Sequence, residues 1–188
     1  AHADHLAAFL DGGYRAMRDL RDAGAIGAIG IGVNEVAICN ELLDRVELDA
    51  ILIAGRYTLL DRGAEELLDR CASADVQVIV GGPYNSGILA RDLSGPLHFD
   101  YAAPDPAILA RAHAMAALCR DAGVALPAAA LQYPLRHPQV MAVIPGLVGA
   151  DQVHDTIARL GAPITDTLWP ALDAAARAHP LAKAHSHA

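Results

Sequence analysis

The chain has 188 residues, and its 22 Asp and Glu outnumber its 14 Lys and Arg to give a net charge of −8. That length supports one sizeable core, and interleaved charge with an acidic excess excludes a nucleic-acid or anionic-membrane surface. No apolar run approaches the roughly 18 residues that a membrane span requires, and much of the hydrophobicity is alanine, which favours packed helices.

Leu6, Phe9, Leu10, Met17 and Leu20 recur at helical spacing and predict an opening helix that Ala23-Gly24 stops, with Gly12-Gly13 inside it. Apolar strands follow at 28–33, 50–53, 76–80 and 140–144, and each runs into a loop of Gly, Asn, Pro or Arg. These loops are Gly32-Val33-Asn34, Ala54-Gly55-Arg56-Tyr57, the run from Gly81 to Gly87, and Pro145-Gly146-Leu147. Asn34 is placed to cap a helix whose apolar face holds Val36, Cys39, Leu42 and Leu43. A further helix is predicted over 64–72. Residues 94–105, with Pro96, His98, Phe99, Tyr101 and Pro104, form the longest connection and suit a loop that covers substrate or cofactor.

Helices then follow at 106–122 and 127–136, each with Pro in its first turn, at 150–160, and at 165–178. Trp169 reads as the packing anchor of the last of them. Residues 1–178 show no domain boundary, whereas 179–188 read as a loose tail. Three cysteines, Cys39, Cys71 and Cys119, lie far apart inside helical patterns, which favours reduced buried thiols and a cytoplasmic setting. The chain carries no signal peptide pattern, and its Ala-His-Ala-Asp-His opening without Met reads as a cut or processed start.

Alternating strands and helices build a parallel sheet, whose ligands bind beyond the carboxyl ends of the strands. All the special loops fall on that side. Four strands do not close a (β/α)8 barrel. The sheet is therefore either open with helices on both faces, like a flavodoxin, or half of a barrel. A chain that starts with a helix favours the half barrel.

The segments Leu10-Asp11-Gly12-Gly13-Tyr14 through Gly27 to Asn34, Arg56-Tyr57-Thr58-Leu59-Leu60-Asp61-Arg62, Pro83 to Leu89, Leu126 to Gln132, and Val143-Ile144-Pro145-Gly146 together resemble the aldo-keto reductase superfamily. Within it, Ala54 to Leu60 and Gly81 to Leu89 are most similar to the L-fucose (D-threo-aldose) 1-dehydrogenase and pyridoxal 4-dehydrogenase group. The resemblance implies strands five to eight of a (β/α)8 barrel and an NAD(P)-linked oxidation of an aldose at C1 to its lactone. It also implies that the catalytic Tyr, Lys, Asp and His precede this segment. Tyr14 and Tyr57 do not match that tetrad, and the only lysine, Lys183, lies in the tail. No catalytic residue is assigned, and the chain alone is expected to be inactive.

The cofactor side is better supplied. By resemblance, Gly81, Gly82, Pro83, Tyr84, Asn85, Ser86 and Gly87 cover the pyrophosphate; glycine lets main-chain N–H groups approach it closely, and Asn85 and Ser86 add polar groups. Asn34, beside Gly32, matches the residue that holds the nicotinamide amide. The family's Gln after strand six falls on Ala54, so Arg56 or the main chain has to compensate. In the cofactor-binding loop that starts at Pro145, the residues Gly146, Leu147 and Gln152 stand where relatives grip an adenosine 2′-phosphate. With Asp151 and Asp155 adjacent, that loop offers carboxylates in place of cations, which predicts NAD over NADP.

His98 and Tyr101 are the candidate substrate contacts. His137 and His154 read as surface residues, and His179, His185 and His187 have no metal-ligand spacing, so no metal site is assigned. The expected partners are a small sugar or aldehyde, and either a complementing N-terminal half or a second copy. The rival reading is an inactive half barrel that dimerises through its exposed edges and at most binds dinucleotide.

Overall fold

The structure, a computed structural model, describes residues 2–91, 93 and 95–181. Helices α1 (His2–Ala8) and α2 (Tyr14–Asp22) open the chain, followed by β1 (Gly30–Gly32), α3 (Val36–Leu43), β2 (Ala50–Ala54), α4 (Glu65–Ser73) and β3 (Gln77–Gly81). Then come α5 (Pro106–Asp121), α6 (Leu126–Gln132), a 3-10 turn at Pro134–Arg136, β4 (Val140–Ile144), α7 (Ala150–Leu160) and α8 (Leu168–Ala178). The strands pair in chain order, β1-β2-β3-β4, and every pair is parallel.

That order decides the layering. Parallel neighbours taken in sequence, each joined by a right-handed crossover, put every intervening helix on the same face. Burial agrees: Ile51, Ile53, Val78 and Val80 on that face are fully buried, while Ala50, Leu52, Ala54 and Ile79 on the other are only half-buried. Each buried branched side chain contributes about 1.5–3 kcal/mol. The flavodoxin-like alternative, with helices on both faces, is thereby excluded. The arrangement is that of a partial barrel.

Several element boundaries depart from the sequence pattern. The opening helix is broken by a π-turn at Phe9–Gly13, where two glycines weaken the helical ladder. β1 is three residues long rather than 28–33, because the Ile29 N–H and C=O are taken by Asp49 and Ala50 before the ladder starts. Asn34 does not cap α3; Glu35 holds that position, and no side chain caps it. The helix expected over 127–136 ends at Gln132 and passes into the 3-10 turn at Pro134, which has no N–H to continue it. The last helix starts at Leu168 rather than 165.

Trp169 is buried beneath the Arg136 guanidinium, which stacks 4.6 Å from the ring centre. His137 is half-buried rather than superficial. Its ring meets Tyr57 edge-on at 5.9 Å, and its Nδ1 accepts from the Gln139 N–H. The loose tail expected at 179–188 falls mostly outside the described residues, along with Lys183, His185 and His187. His179 is within them, and its carbonyl is tied down. Arg111, buried on α5, donates to the carbonyls of Leu60 at 2.7 Å, Ala176 at 2.6 Å and His179 at 2.6 Å.

All three cysteines are buried and unpaired by disulfides. Burial pushes the Cys39 thiol up to about 12 and those of Cys71 and Cys119 to about 11. A buried thiol held neutral is a poor nucleophile. The folded thiols titrate above the unfolded ones, so the stability they contribute is whole below about pH 9 and is lost as pH rises through 11–12. The urea midpoint should accordingly hold steady to pH 8.5 and fall steeply by pH 10.5. A Cys39→Ala, Cys71→Ala, Cys119→Ala chain should show a shallower fall.

Candidate functional site

The loops after β2, β3 and β4 are tied to one another at the carboxyl ends of the strands. The Gly55 N–H donates to the Gly81 carbonyl at 2.9 Å, and the Gly82 N–H to the Ile144 carbonyl at 3.0 Å. Asn85 Nδ2 donates to the Gly55 carbonyl at 3.0 Å, and its Oδ1 accepts from the Thr58 hydroxyl at 2.6 Å. Thr58 is fully buried and its Oγ1 also accepts from the Leu60 and Asp61 N–H groups. Asn85 is therefore a cross-brace between two loops, and its side chain is spent on that brace.

Two glycines are needed for conformation more than for donors. A Cβ on Gly81 would lie 3.1 Å from that of Ala54, so the neighbouring strand would have to give by a few tenths of an ångström to admit a side chain there. Gly82 sits at φ +59, which favours glycine. The N–H groups of Gly82 and Gly87 are taken by Ile144 and Tyr84 carbonyls. Pro83 has no N–H. Among the described residues, the loop N–H groups left without a protein partner are those of Tyr84 and Ser86. Asn85, Ser86 and Gly87 have positive φ in succession, and the N–H groups of Asn85 and Gly87 are held by the Gly82 and Tyr84 carbonyls. The Tyr84 ring is buried with Arg159 5.9 Å from its centre, and its hydroxyl has no partner among the described residues.

The long connection folds back onto this loop. Phe99 and Ala102 exchange backbone hydrogen bonds at 2.9 and 3.0 Å, with Asp100 and Tyr101 both at positive φ in a two-residue turn. The Tyr101 N–H donates to Ser86 Oγ at 3.1 Å, and Arg56 Nη1 donates to Asp100 at 2.7 Å. Arg56 also reaches Asp61 at 3.4 Å. Burial works against the Arg56 charge, but its hydrogen bond to Asp100 and the two carboxylates outweigh that and hold its pKa above the ordinary range. Burial likewise lifts Asp61, against the Gly63 N–H and Arg56. The Tyr101 side chain is 94% exposed, and His98 is exposed as well.

Removing the strap while keeping its backbone geometry isolates its role. Asp100→Gly should leave the unfolding midpoint within about 1 kcal/mol of the parent, since the lost ion pair is half exposed. Dinucleotide affinity, followed by NADH fluorescence, should weaken about three- to tenfold. Unchanged affinity would place the turn away from the ligand.

The remaining candidates are spread along the same rim. Asn34 is exposed after β1, and no protein group among the described residues bonds its side chain. Beyond β4 and Pro145, Gly146 and Leu147 are exposed, and Gln152 Oε1 accepts from the Val148 N–H at 2.7 Å, shaping the entry to α7. Asp151 stands in the first turn of α7. Asp155 does not stand without a cation: Arg159, one turn on, is 3.8 Å away. The spacing i, i+4 was the signal for that pair. Shallow hollows of about 330 and 300 Å³ lie elsewhere, against Arg70 and against Trp169.

Compared with known proteins, residues 3–177 match the model of the Aldo/keto reductase family. The chain belongs to that family. This aldo/keto reductase chain is 38% identical over 162 residues to a pyridoxal 4-dehydrogenase from Microbacterium luteolum, covering 86% of the chain and 47% of the relative. It is 33% identical over 167 residues to a D-threo-aldose 1-dehydrogenase from a Pseudomonas species, covering 87% of the chain and 50% of the relative. An aldo-keto reductase from Bacillus halodurans, solved in a holo form, superposes with a TM-score of 0.70 at 26% identity, over 86% of this chain and 54% of that one. The chain spans about half the length of the curated relatives it matches.

Proposed function

We propose that this chain is the nucleotide-binding half of an oxidoreductase, strands five to eight of the barrel, which uses a nicotinamide cofactor to oxidise an aldose such as L-fucose at C1 to the lactone. The observation that carries the reading is the braced rim: three loops and a folded-back turn, tied together at the carboxyl ends of parallel strands, leave the Tyr84 and Ser86 N–H groups unpaired beside curled backbone. A diphosphate, an anion with several acceptor oxygens, fits donors of that kind. Asn34, with an uncommitted amide, suits the nicotinamide carboxamide.

When bound, the cofactor supplies the hydride acceptor. The chain's own residues bind and orient it; they do not move the proton. A phenol serving near neutral pH needs a neighbour that lowers its pKa. Burial instead raises Tyr57 and Tyr133, and the Arg62 guanidinium over the Tyr133 ring does not overcome it. Proton transfer belongs to residues outside this chain. An inactive half barrel with residual dinucleotide binding is the alternative, and it is separated by activity once the barrel is complete.

The preference for NAD rests on Asp151 in the first turn of α7 and Asp155 one turn further on, with Asp155 3.8 Å from Arg159 and partly offsetting its charge. Titration should give an affinity for NAD at least about tenfold tighter than for NADP, a difference of roughly 1.4 kcal/mol. Asp155→Asn frees Arg159, so NADP binding should tighten about three- to tenfold while NAD changes little. NADP binding as tightly as NAD in the parent chain would overturn the preference. With L-fucose and NAD, absorbance at 340 nm should rise in the completed barrel and stay flat in this chain alone.

A further inference from the structure

Away from the braced rim, a hollow of about 300 Å³ is lined by Gln132, Leu135, Arg136, Leu160 and Trp169. It lies towards the amino ends of the strands: Arg136 ends the 3-10 turn just ahead of β4, and Leu160 is the last residue of α7, which runs back from the rim. Pro134 has no N–H to prolong α6, and the turn it starts leaves Leu135 and Arg136 exposed. Gln132 ties the end of α7 to α6 by donating to the Arg159 and Ala162 carbonyls at 2.8 and 2.9 Å. Trp169, in the first turn of α8, is only 7% exposed.

Arg136 is the unusual member of this set. Its guanidinium stacks 4.6 Å from the Trp169 ring centre. A stacked guanidinium is held in orientation while its N–H edge stays free for a planar acceptor. Arg21, Arg56, Arg62 and Arg70 each have a carboxylate partner. Arg136 has no ion pair and no side-chain hydrogen bond among the described residues. Asp173, one turn along α8 from Trp169, is already taken by Arg62 at 2.8 Å. On either side stand apolar walls, Leu135 at 40% and Leu160 at 52% exposure.

An oriented cation without a counter-ion, set between exposed leucines, is complementary to a carboxylate carried on an apolar body. Size limits the choice further. Small-ligand pockets begin at about 300 Å³. A stable protein interface needs roughly 800 Å² on each side, far more than five residues around a hollow supply.

We propose that this hollow binds a small apolar monocarboxylate, an aromatic ring or short alkyl chain whose carboxylate pairs with the Arg136 fork while its body lies between Leu135 and Leu160. The site is separate from the cofactor rim and does not depend on the reading given to that rim.

Trp169 is the only tryptophan in the chain, so its emission reports on this hollow directly. Benzoate is titrated against the chain, followed by that emission and by isothermal titration calorimetry. Saturation at one molecule per chain is expected, with a Kd of about a millimolar or tighter. Benzyl alcohol keeps the ring without the charge, and acetate keeps the charge without the ring; each should bind at least tenfold more weakly. Arg136→Gln should weaken benzoate at least tenfold and leave benzyl alcohol unchanged. Because that substitution also removes the stack on Trp169, Leu160→Glu is the second variant. It places a carboxylate at the wall and should weaken benzoate tenfold or more without shifting the melting of the chain. Benzyl alcohol or acetate matching benzoate, both variants binding benzoate as the parent does, or a titration that never saturates would overturn the assignment. No arm contains dinucleotide, so the outcome stands apart from that of the cofactor experiments.

Discussion

Arg111→Leu is expected to cost about 3–5 kcal/mol of unfolding free energy, the largest effect of any single substitution considered. The Arg111 guanidinium is buried without a carboxylate partner among the described residues; its donors are spent on three main-chain carbonyls, those of Leu60, Ala176 and His179. Desolvation and the neighbouring Arg62 charge lower its pKa, but guanidinium remains protonated at neutral pH. Leucine fills much of the volume and leaves those carbonyls short of donors. The end of α8 is then released from α5 and from the loop after β2. Urea denaturation followed by circular dichroism measures this, with Arg120→Leu, on the exposed face of the same helix, changing by less than about 0.5 kcal/mol. A loss below about 1 kcal/mol at Arg111 would show that water replaces it.

Asn85→Ala is expected to cost about 2–4 kcal/mol and to weaken dinucleotide binding tenfold or more. The side chain braces Gly55 and Thr58 from the neighbouring loop, and its own backbone is left-handed at φ +45, where asparagine is tolerated and alanine is not. Two variants divide these causes. Asn85→Gly relieves the backbone and keeps only the loss of the brace. Asn85→Asp keeps the shape, but a carboxylate cannot donate to the Gly55 carbonyl and faces it at 3.0 Å. If the brace dominates, Asp is as damaging as Ala; if the backbone dominates, Gly restores most of the stability. Isothermal titration with NAD alongside thermal melting reads both quantities in each variant.

The order of elements was legible because it rests on short-range signals. Strands such as Ile51 to Ile53 and Val78 to Val80 are apolar runs closed by glycine, and helices such as α5 start with Pro after a capping Asp105. Which loops gather at one rim came from the alternation itself. The use of each polar residue at that rim was less legible. Asn85 reads in sequence as a group offered to a phosphate, and the structure spends it on a partner 30 residues away. Arg111 reads as one more charge on a helix, because its acceptors are 51 to 68 residues distant. Long-range use of a side chain leaves no local pattern. Asp155 fell between the two, since its partner Arg159 stands four residues on and a helical wheel places them side by side.

The Tyr101 side chain leans on nothing among the described residues. Its backbone fixes the turn over Ser86, yet its ring stands in solvent at the tip. Exchange of that ring leaves no hole in the core and no orphaned donor. Here the molecule can vary what it presents outward without disturbing the core, within the set of residues that a left-handed backbone at φ +63 accepts, which makes this tip a natural place for a lineage to diversify.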